Sequence, residues 1–384
     1  MRITPIKWVS TIALSIMLLS SAVFAQEQTV ARNAERATTP AVTQSSASVL
    51  SALPHADALV YINPQRIFAE AAPRVVADAE LAKLREQFTQ LKQFIGVDPS
   101  TLDVLVIAVR FRKPTGELNF QSPDVLAVMS GDFSAETLLT NARLEMQDKM
   151  TDEKYGSKTL SLITIPDMAD KAEENPFLKQ FAQIGVVNLN ANTIATGTVS
   201  YLKAAVDAAD GRDRIAPATL NSLMRDPNAL ISIAGSPWAS FAKSFGLMGT
   251  ETTPRTGSCD TKLGDFYAAV TLEGTNFRVR GSMNADNPDT AKLITGILNG
   301  MRKTFGDENV DVKSFHSMIN MMSLTASDAE VVLQADFPQQ VVADFLKEQM
   351  KPKKEEPGVS SAPKPAGTMP RATKKRRTTR KRTQ

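Results

Sequence analysis

The chain has 384 residues, 42% of them hydrophobic and 22% charged, with a formal net charge of +3, two histidines and one cysteine. That composition is ordinary for a globular protein, and it excludes a multi-histidine metal site and an intramolecular disulfide. The charge is uneven: residues 351–384 carry 12 basic and 2 acidic side chains while 26–350 carry 30 basic and 39 acidic ones, so an acidic body bears a basic tail.

Met1 to Ala25 reads as a secretory signal peptide. Arg2 and Lys7 supply its positive start, Trp8 to Leu19 an apolar stretch too short for a comfortable span, and Val23-Phe24-Ala25 the small residues that a signal peptidase reads. The expected location is therefore periplasmic or secreted, with no transmembrane segment after cleavage. Residues 26–50, rich in Ala, Thr, Ser and Gln, read as a disordered linker, and residues 351–384, interrupted by five prolines, as a disordered tail.

Two α+β repeats fill the interval, at 51–213 and 214–350. The first opens with a strand at Ala58 to Asn63, ended by Pro64 at the start of a helix; the second opens with a strand at Ala229 to Ala234, ended by Gly235-Ser236-Pro237-Trp238. A strand pair comes next in each, at Leu102 to Phe111 with Val125 to Met129, and at Asp265 to Leu272 with Phe277 to Met283. Each pair leads to a capped helix, begun by Ser134 in one and by Asn287-Pro288 in the other. Each repeat then closes with two strands and a helix: Ile184 to Leu189, Thr193 to Gly197 and Tyr201 to Ala209, matched by Met321 to Thr325, Glu330 to Ala335 and Gln339 to Glu348. Phe277, Val279 and Gly281 alternate with Arg278, Arg280 and Ser282, the mark of a sheet with one wet face, whereas Leu105-Val106-Ile107-Ala108-Val109 predicts a strand covered on both faces. The expected fold is α+β: two similar domains from an internal duplication, each a mostly antiparallel sheet with helices packed on one face.

Leu81, Leu84, Phe88, Leu91 and Ile95 form a narrow apolar seam at coiled-coil spacing. Packing against the chain's own sheet is the first expectation for it, and a partner interface the second.

Catalytic motifs are thin. Gly-x-Ser-x-Gly is absent, and Ser240-Phe241-Ala242-Lys243 lacks the companion elements of penicillin-binding enzymes. His316 with Met318, Met321 and Met322 is a soft-ligand cluster of the kind that suits Cu(I); read as a strand, it would put His316, Met318 and Met322 on one face, although methionines also fill core gaps. Asp207 to Asp213 lacks the ligand spacing of a calcium loop and reads as a solvated turn. Cys259 stands beside Asp260, which opposes thiolate formation. No catalytic residue, metal ligand or cofactor site is assigned.

The clearest chemical feature is the tail, where Arg371, Lys374, Lys375, Arg376, Arg377, Arg380, Lys381 and Arg382 fall within twelve residues. The leader argues against a nuclear role, and the tail lacks the stacking aromatics of single-strand binders. Nucleic acid is thus disfavoured, and an anionic surface (phospholipid, lipopolysaccharide or wall polymer) is the better partner.

Leu53-Pro54-His55-Ala56-Asp57-Ala58-Leu59-Val60-Tyr61-Ile62-Asn63, with Gly96-Val97-Asp98-Pro99 and Ser130-Gly131-Asp132-Phe133, resembles an uncharacterised group of exported bacterial proteins over about residues 53–202. These motifs are structural, so the resemblance implies export and no functional residue. The function expected from the sequence is a non-catalytic exported protein that binds a protein partner or an anionic envelope surface. The alternative is a small-molecule or lipid carrier with an apolar cavity, and an unrecognised hydrolase stands third.

Overall fold

The structure is a computed structural model that describes residues 44–95, 97–111, 123–165, 182–236, 263–306 and 313–349. Helix α1 (Gln44–Ser51) precedes strand β1 (Ala58–Ile62). Asn63 ends β1 and caps the next helix: its side-chain oxygen accepts from the Arg66 amide at 3.0 Å, and Pro64 takes a first-turn position where no amide donor is needed. This helical stretch, α2, runs from Pro64–Arg66 through a π turn at Ile67–Ala71 to Ala72–Val75, and α3 is Asp78–Ile95.

Strands β2 (Leu102–Arg110) and β3 (Asp124–Gly131) lead to α4 (Ala135–Met146), whose first turn is capped by Ser134 Oγ accepting from the Thr137 amide. Then come β4 (Met150–Tyr155), β5 (Lys158–Thr164), β6 (Gln183–Asn190), β7 (Thr193–Thr198), α5 (Val199–Ala209) and α6 (Pro217–Leu223). The second half holds β8 (Ala229–Gly235), β9 (Leu263–Glu273) and β10 (Asn276–Ala285), the last two joined at Gly274, whose φ of 58° suits glycine. Helix α7 (Pro288–Gly306), capped by Asn287, is succeeded by α8 (Lys313–Met321), β11 (Met322–Ser327), β12 (Glu330–Pro338) and α9 (Gln339–Gln349).

The twelve strands among the described residues lie in one antiparallel sheet, in the order β11-β12-β10-β9-β8-β1-β2-β3-β7-β6-β5-β4. The halves do not form separate sheets. β1 sits between β2 and β8, with Val60 opposite both Ile107 and Ile233, so the strand that opens each half covers what would otherwise be an unpaired edge of the other. Outward from this junction the order is β1-β2-β3-β7-β6 on one side and β8-β9-β10-β12-β11 on the other, with β5 and β4 extending the first.

The halves bury opposite faces of the sheet. Leu59, Val104, Val106, Leu126 and Val128 point to the front face, where they join Val49, Leu53, Tyr201, Leu202 and Leu223 from α1, the turn after it, α5 and α6 in one core. Val60, Ile107 and Ala127 point to the back. Register carries that back face into the second half through Val270, Val279, Ala335 and Met322, where Ile67 and Ala71 of α2 and side chains of α7, α8 and α9 cover it. The front of the second half presents Arg278, Arg280 and Ser282, the wet face that alternation predicts.

Some expectations are revised. The linker read over residues 26–50 contains α1 from Gln44 onward. Val49 is 0% exposed, because docking on β2 and β3 outweighs the polar composition around it. Residues 313–321 form a helix rather than a strand, so Met321 closes α8 and only Met322 begins β11. On a helix, a spacing of two no longer puts His316 and Met318 on one face, and Met318 and Met322 belong to the apolar core. The hairpin β4–β5 and helix α6 were not among the expected elements.

Candidate functional site

The basic residues Arg371, Lys374, Lys375, Arg376, Arg377, Arg380, Lys381 and Arg382 lie outside the described residues, as do Ser240, Lys243 and Cys259. His55 is exposed before β1. The Asp207 to Asp213 stretch is the end of α5 and a turn, in which Arg212 bonds Asp207 and Asp210 and holds the Asp207 carboxyl below the usual carboxylate range. Among the described residues no group of three His, Cys, Asp or Glu side chains is placed to hold a metal.

The best-organised polar cluster was not visible in the sequence. Asp124, 1% exposed at the start of β3, pairs with Arg110 of β2 at 2.9 Å and accepts from Thr198 Oγ1 at 3.2 Å and Ser200 Oγ at 3.1 Å. Thr198 and Ser200 flank the start of α5, where a helix favours negative charge. The Arg110 guanidinium also lies 4.4 Å from the centroid of the Tyr201 ring, and Tyr201 Oη donates to the His55 carbonyl at 2.9 Å. Burial raises the Tyr201 phenol above its ordinary value of 10.0. This node ties β2, β3, β7, α5 and the turn before β1 together. Its groups bond one another, so it reads as a structural lock rather than a reacting centre.

A second polar group lies on the wet front of the other half. Tyr267 donates to Asp226, Arg225 stands 5.4 Å from the Tyr267 ring centroid, and burial first, then Asp226, raises the phenol.

The feature that the packing of the described residues leaves open is apolar. On the back of the sheet, α4 covers Ile194 with Met129 and Val186 at its margin, while α2 and α7 to α9 cover the second half. Between these covers lie adjoining rows of side chains. One runs Ala268, Ile233, Val60, Ile107, Ala127; the next holds Phe266, Ala58, Val109 and Val125. Each of these keeps partial exposure, whereas Leu59, Val106, Ala108 and Leu126, pointing to the front from the same strands, are 0% exposed. The Leu105 to Val109 run is therefore sealed on one face only, and on the other it floors an apolar strip.

Helix α3 touches α2 at one side and α4 at the other. The described part of its seam faces α2. Leu81, Leu84 and Phe88 turn toward α2, Phe88 meeting Phe68 edge-on with centroids 4.7 Å apart; the side chains of Leu91 and Ile95 lie outside the described set. A cleft of about 260 Å³ remains there, lined by Phe68, Leu81, Leu84, Arg85, Phe88 and Ser100. Strip and cleft offer burial to an apolar chain, and Arg85 offers a charge to an anionic group.

No family model matches the chain, and no curated protein matches it. Among solved structures, three crystal forms of TP0453 align with it. Form III has a TM-score of 0.40 at 10% identity over 78% of this chain and 97% of that one. Form IV gives 0.39 at 9% over 77% and 95%, and form I 0.37 at 9% over 78% and 97%. A likeness of this degree says nothing about what the chain binds.

Proposed function

We propose that this is a non-catalytic exported binding protein. Its body holds the apolar chain of an amphiphile on the back of the central sheet, and its basic tail brings it to an anionic envelope surface. The observation that carries the proposal is the strip itself. It is a patch of partly exposed aliphatic side chains, with Phe266, in the middle of a sheet, on strands whose opposite face buries Leu59, Val106, Ala108 and Leu126 completely. Contiguous apolar surface of this kind marks interaction sites. Its side chains carry no hydrogen-bonding group that would direct a polar ligand, so it suits a chain recognised by burial alone. Each methylene buried there contributes about 0.8 kcal/mol.

Mass spectrometry of the organic extract of full-length protein tests the reading, together with displacement of a fluorescent acyl chain. An extracted amphiphile, and probe binding weakened at least tenfold by filling the floor with Ala127→Trp or Val109→Phe at unchanged circular dichroism, support it. Absence of both extracted amphiphile and probe binding contradicts it. For the tail, loss of salt-sensitive binding to anionic vesicles on truncation at 370 supports the surface role, and equal binding removes it.

A further inference from the structure

The two edges of the sheet are built differently, and one of them is ready to pair. β4, at one edge, carries Asp152, Glu153 and Lys154 in succession, with Arg143 bonded to Asp152 and Lys203 to Glu153. Such charges are how proteins guard an edge strand against another strand. β11, at the other edge, reads Met322-Ser323-Leu324-Thr325-Ala326-Ser327: six residues without a charge, a proline or a register shift against β12.

The elements beside β11 are also unguarded. Helix α7 packs chiefly over β11, with α8 and then α9 beside it toward the sheet centre, so α7 is the outermost helix on that face. Ala291 and Ile294 point down into the core, and Leu298 packs against it. The Thr295 and Asn299 flank holds buried oxygens, while the opposite flank carries Leu293, 55% exposed, and Ile297. Leu293 and Met321, which immediately precedes β11, are two of the three exposed large hydrophobic residues among the described ones. Gly296 and Gly300, one turn apart, complete the outer surface of α7, and a Cβ at either would meet nothing within 4 Å. Glycine inside a helix costs about 1 kcal/mol against alanine. At Gly296 the described packing leaves room for a side chain, and the close approach of another helix would account for glycine there.

From these observations we propose that β11 is the docking edge for a second copy of this chain. A two-fold axis normal to the sheet pairs β11 antiparallel with its copy and keeps both back faces on one side. The two α7 helices then meet antiparallel across the axis. Adjacent strands lie about 4.8 Å apart, whereas helix axes ordinarily need 8–10 Å. Helix α7 spans β12 and β10 as well as β11, which sets its axis back from the edge, and its glycines allow a close approach with Leu293 and Ile297 beside them. Six strand residues and about three turns of helix offer on the order of 600–700 Å² per copy, the low end of what a stable dimer buries. The contact is isologous and closed, since the same surface serves both partners and leaves β4, with its charges, at each outer end.

Sedimentation velocity of the full-length chain across a concentration series tests this. The expected result is a reversible shift from the monomer toward twice its mass. Gly296→Arg, whose Cβ would meet nothing within 4 Å, and independently Thr325→Lys should each weaken self-association at least tenfold with circular dichroism unchanged. Lys154→Ala on the other edge should leave it unaltered. A chain that stays monomeric throughout, whether or not it binds strands of other proteins, overturns the proposal. So does a dimer that neither Gly296→Arg nor Thr325→Lys disturbs.

Discussion

Two ion pairs at comparable places in the two halves have opposite surroundings. In the first half Arg110 and Asp124 face each other across β2 and β3 beneath α5, with Asp124 1% exposed. In the second, Arg278 of β10 pairs with Asp336 of β12 at 2.6 Å and with Glu273 of β9, and Asp336 is 52% exposed. Both lie on the front of the same sheet. The difference is which face each half buries: the front of the first half is roofed by α1, α5 and α6, whereas the second turns its helices to the back. Among the described residues, one continuous sheet with covers on opposite sides leaves its central strands sealed in front and partly exposed behind, and that is where the apolar strip lies.

Removing one carboxylate from each pair separates the two settings most sharply. Asp124→Ala takes the buried acceptor away from a part-exposed guanidinium and two hydroxyls, and should cost about 2–3 kcal/mol, read as a fall in the urea midpoint. Replacing both partners, as Arg110→Met with Asp124→Leu, should recover much of that loss, since apolar residues of similar volume pack without a desolvated charge. A loss in the double variant equal to the single one would show that the hydroxyl partners, not the unpaired arginine, set the cost.

Next in size is the effect of Tyr201. Its phenol is buried and titrates above 10.0 in the fold, so the folded chain keeps its proton where the unfolded chain loses it. That contribution is fully present below pH 10 and is lost as pH rises beyond it. Tyr201→Phe should cost about 1 kcal/mol at neutral pH through the lost bond to the His55 carbonyl, and should flatten the alkaline decline in a pH series of thermal melts. The smallest effect belongs to Asp336→Ala. It should change stability by less than about 1 kcal/mol and respond to salt, because the pair is screened by water.

Strand and helix positions were legible in the chain wherever local chemistry decided them. Ser134, Asn287 and Pro288 cap helices as their types require, and the Phe277 to Ser282 alternation gives the wet face. Less legible was anything that depends on partners distant in sequence. Val49 enters the core only because α1 docks on β2 and β3, and no local pattern in a polar stretch reports that. The Leu105 to Val109 run could not say that one of its faces stays half-open, since an apolar run reads alike whether the second cover is complete or partial. Asp124 gave no signal because its partners lie at 110, 198 and 200. The soft-ligand reading of His316 rested on strand geometry, which the helix removes.

The central claim is that the back of β1, β2 and β3 receives an apolar chain. A photoreactive acyl chain crosslinked to full-length protein, with the adducts mapped by peptide mass spectrometry, tests this most directly. The account predicts adducts on peptides holding Val60, Ile107, Val109 and Val125, suppressed by Ala127→Trp. Labelling confined to the front of the second half or to α7, or insensitive to that substitution, would contradict it.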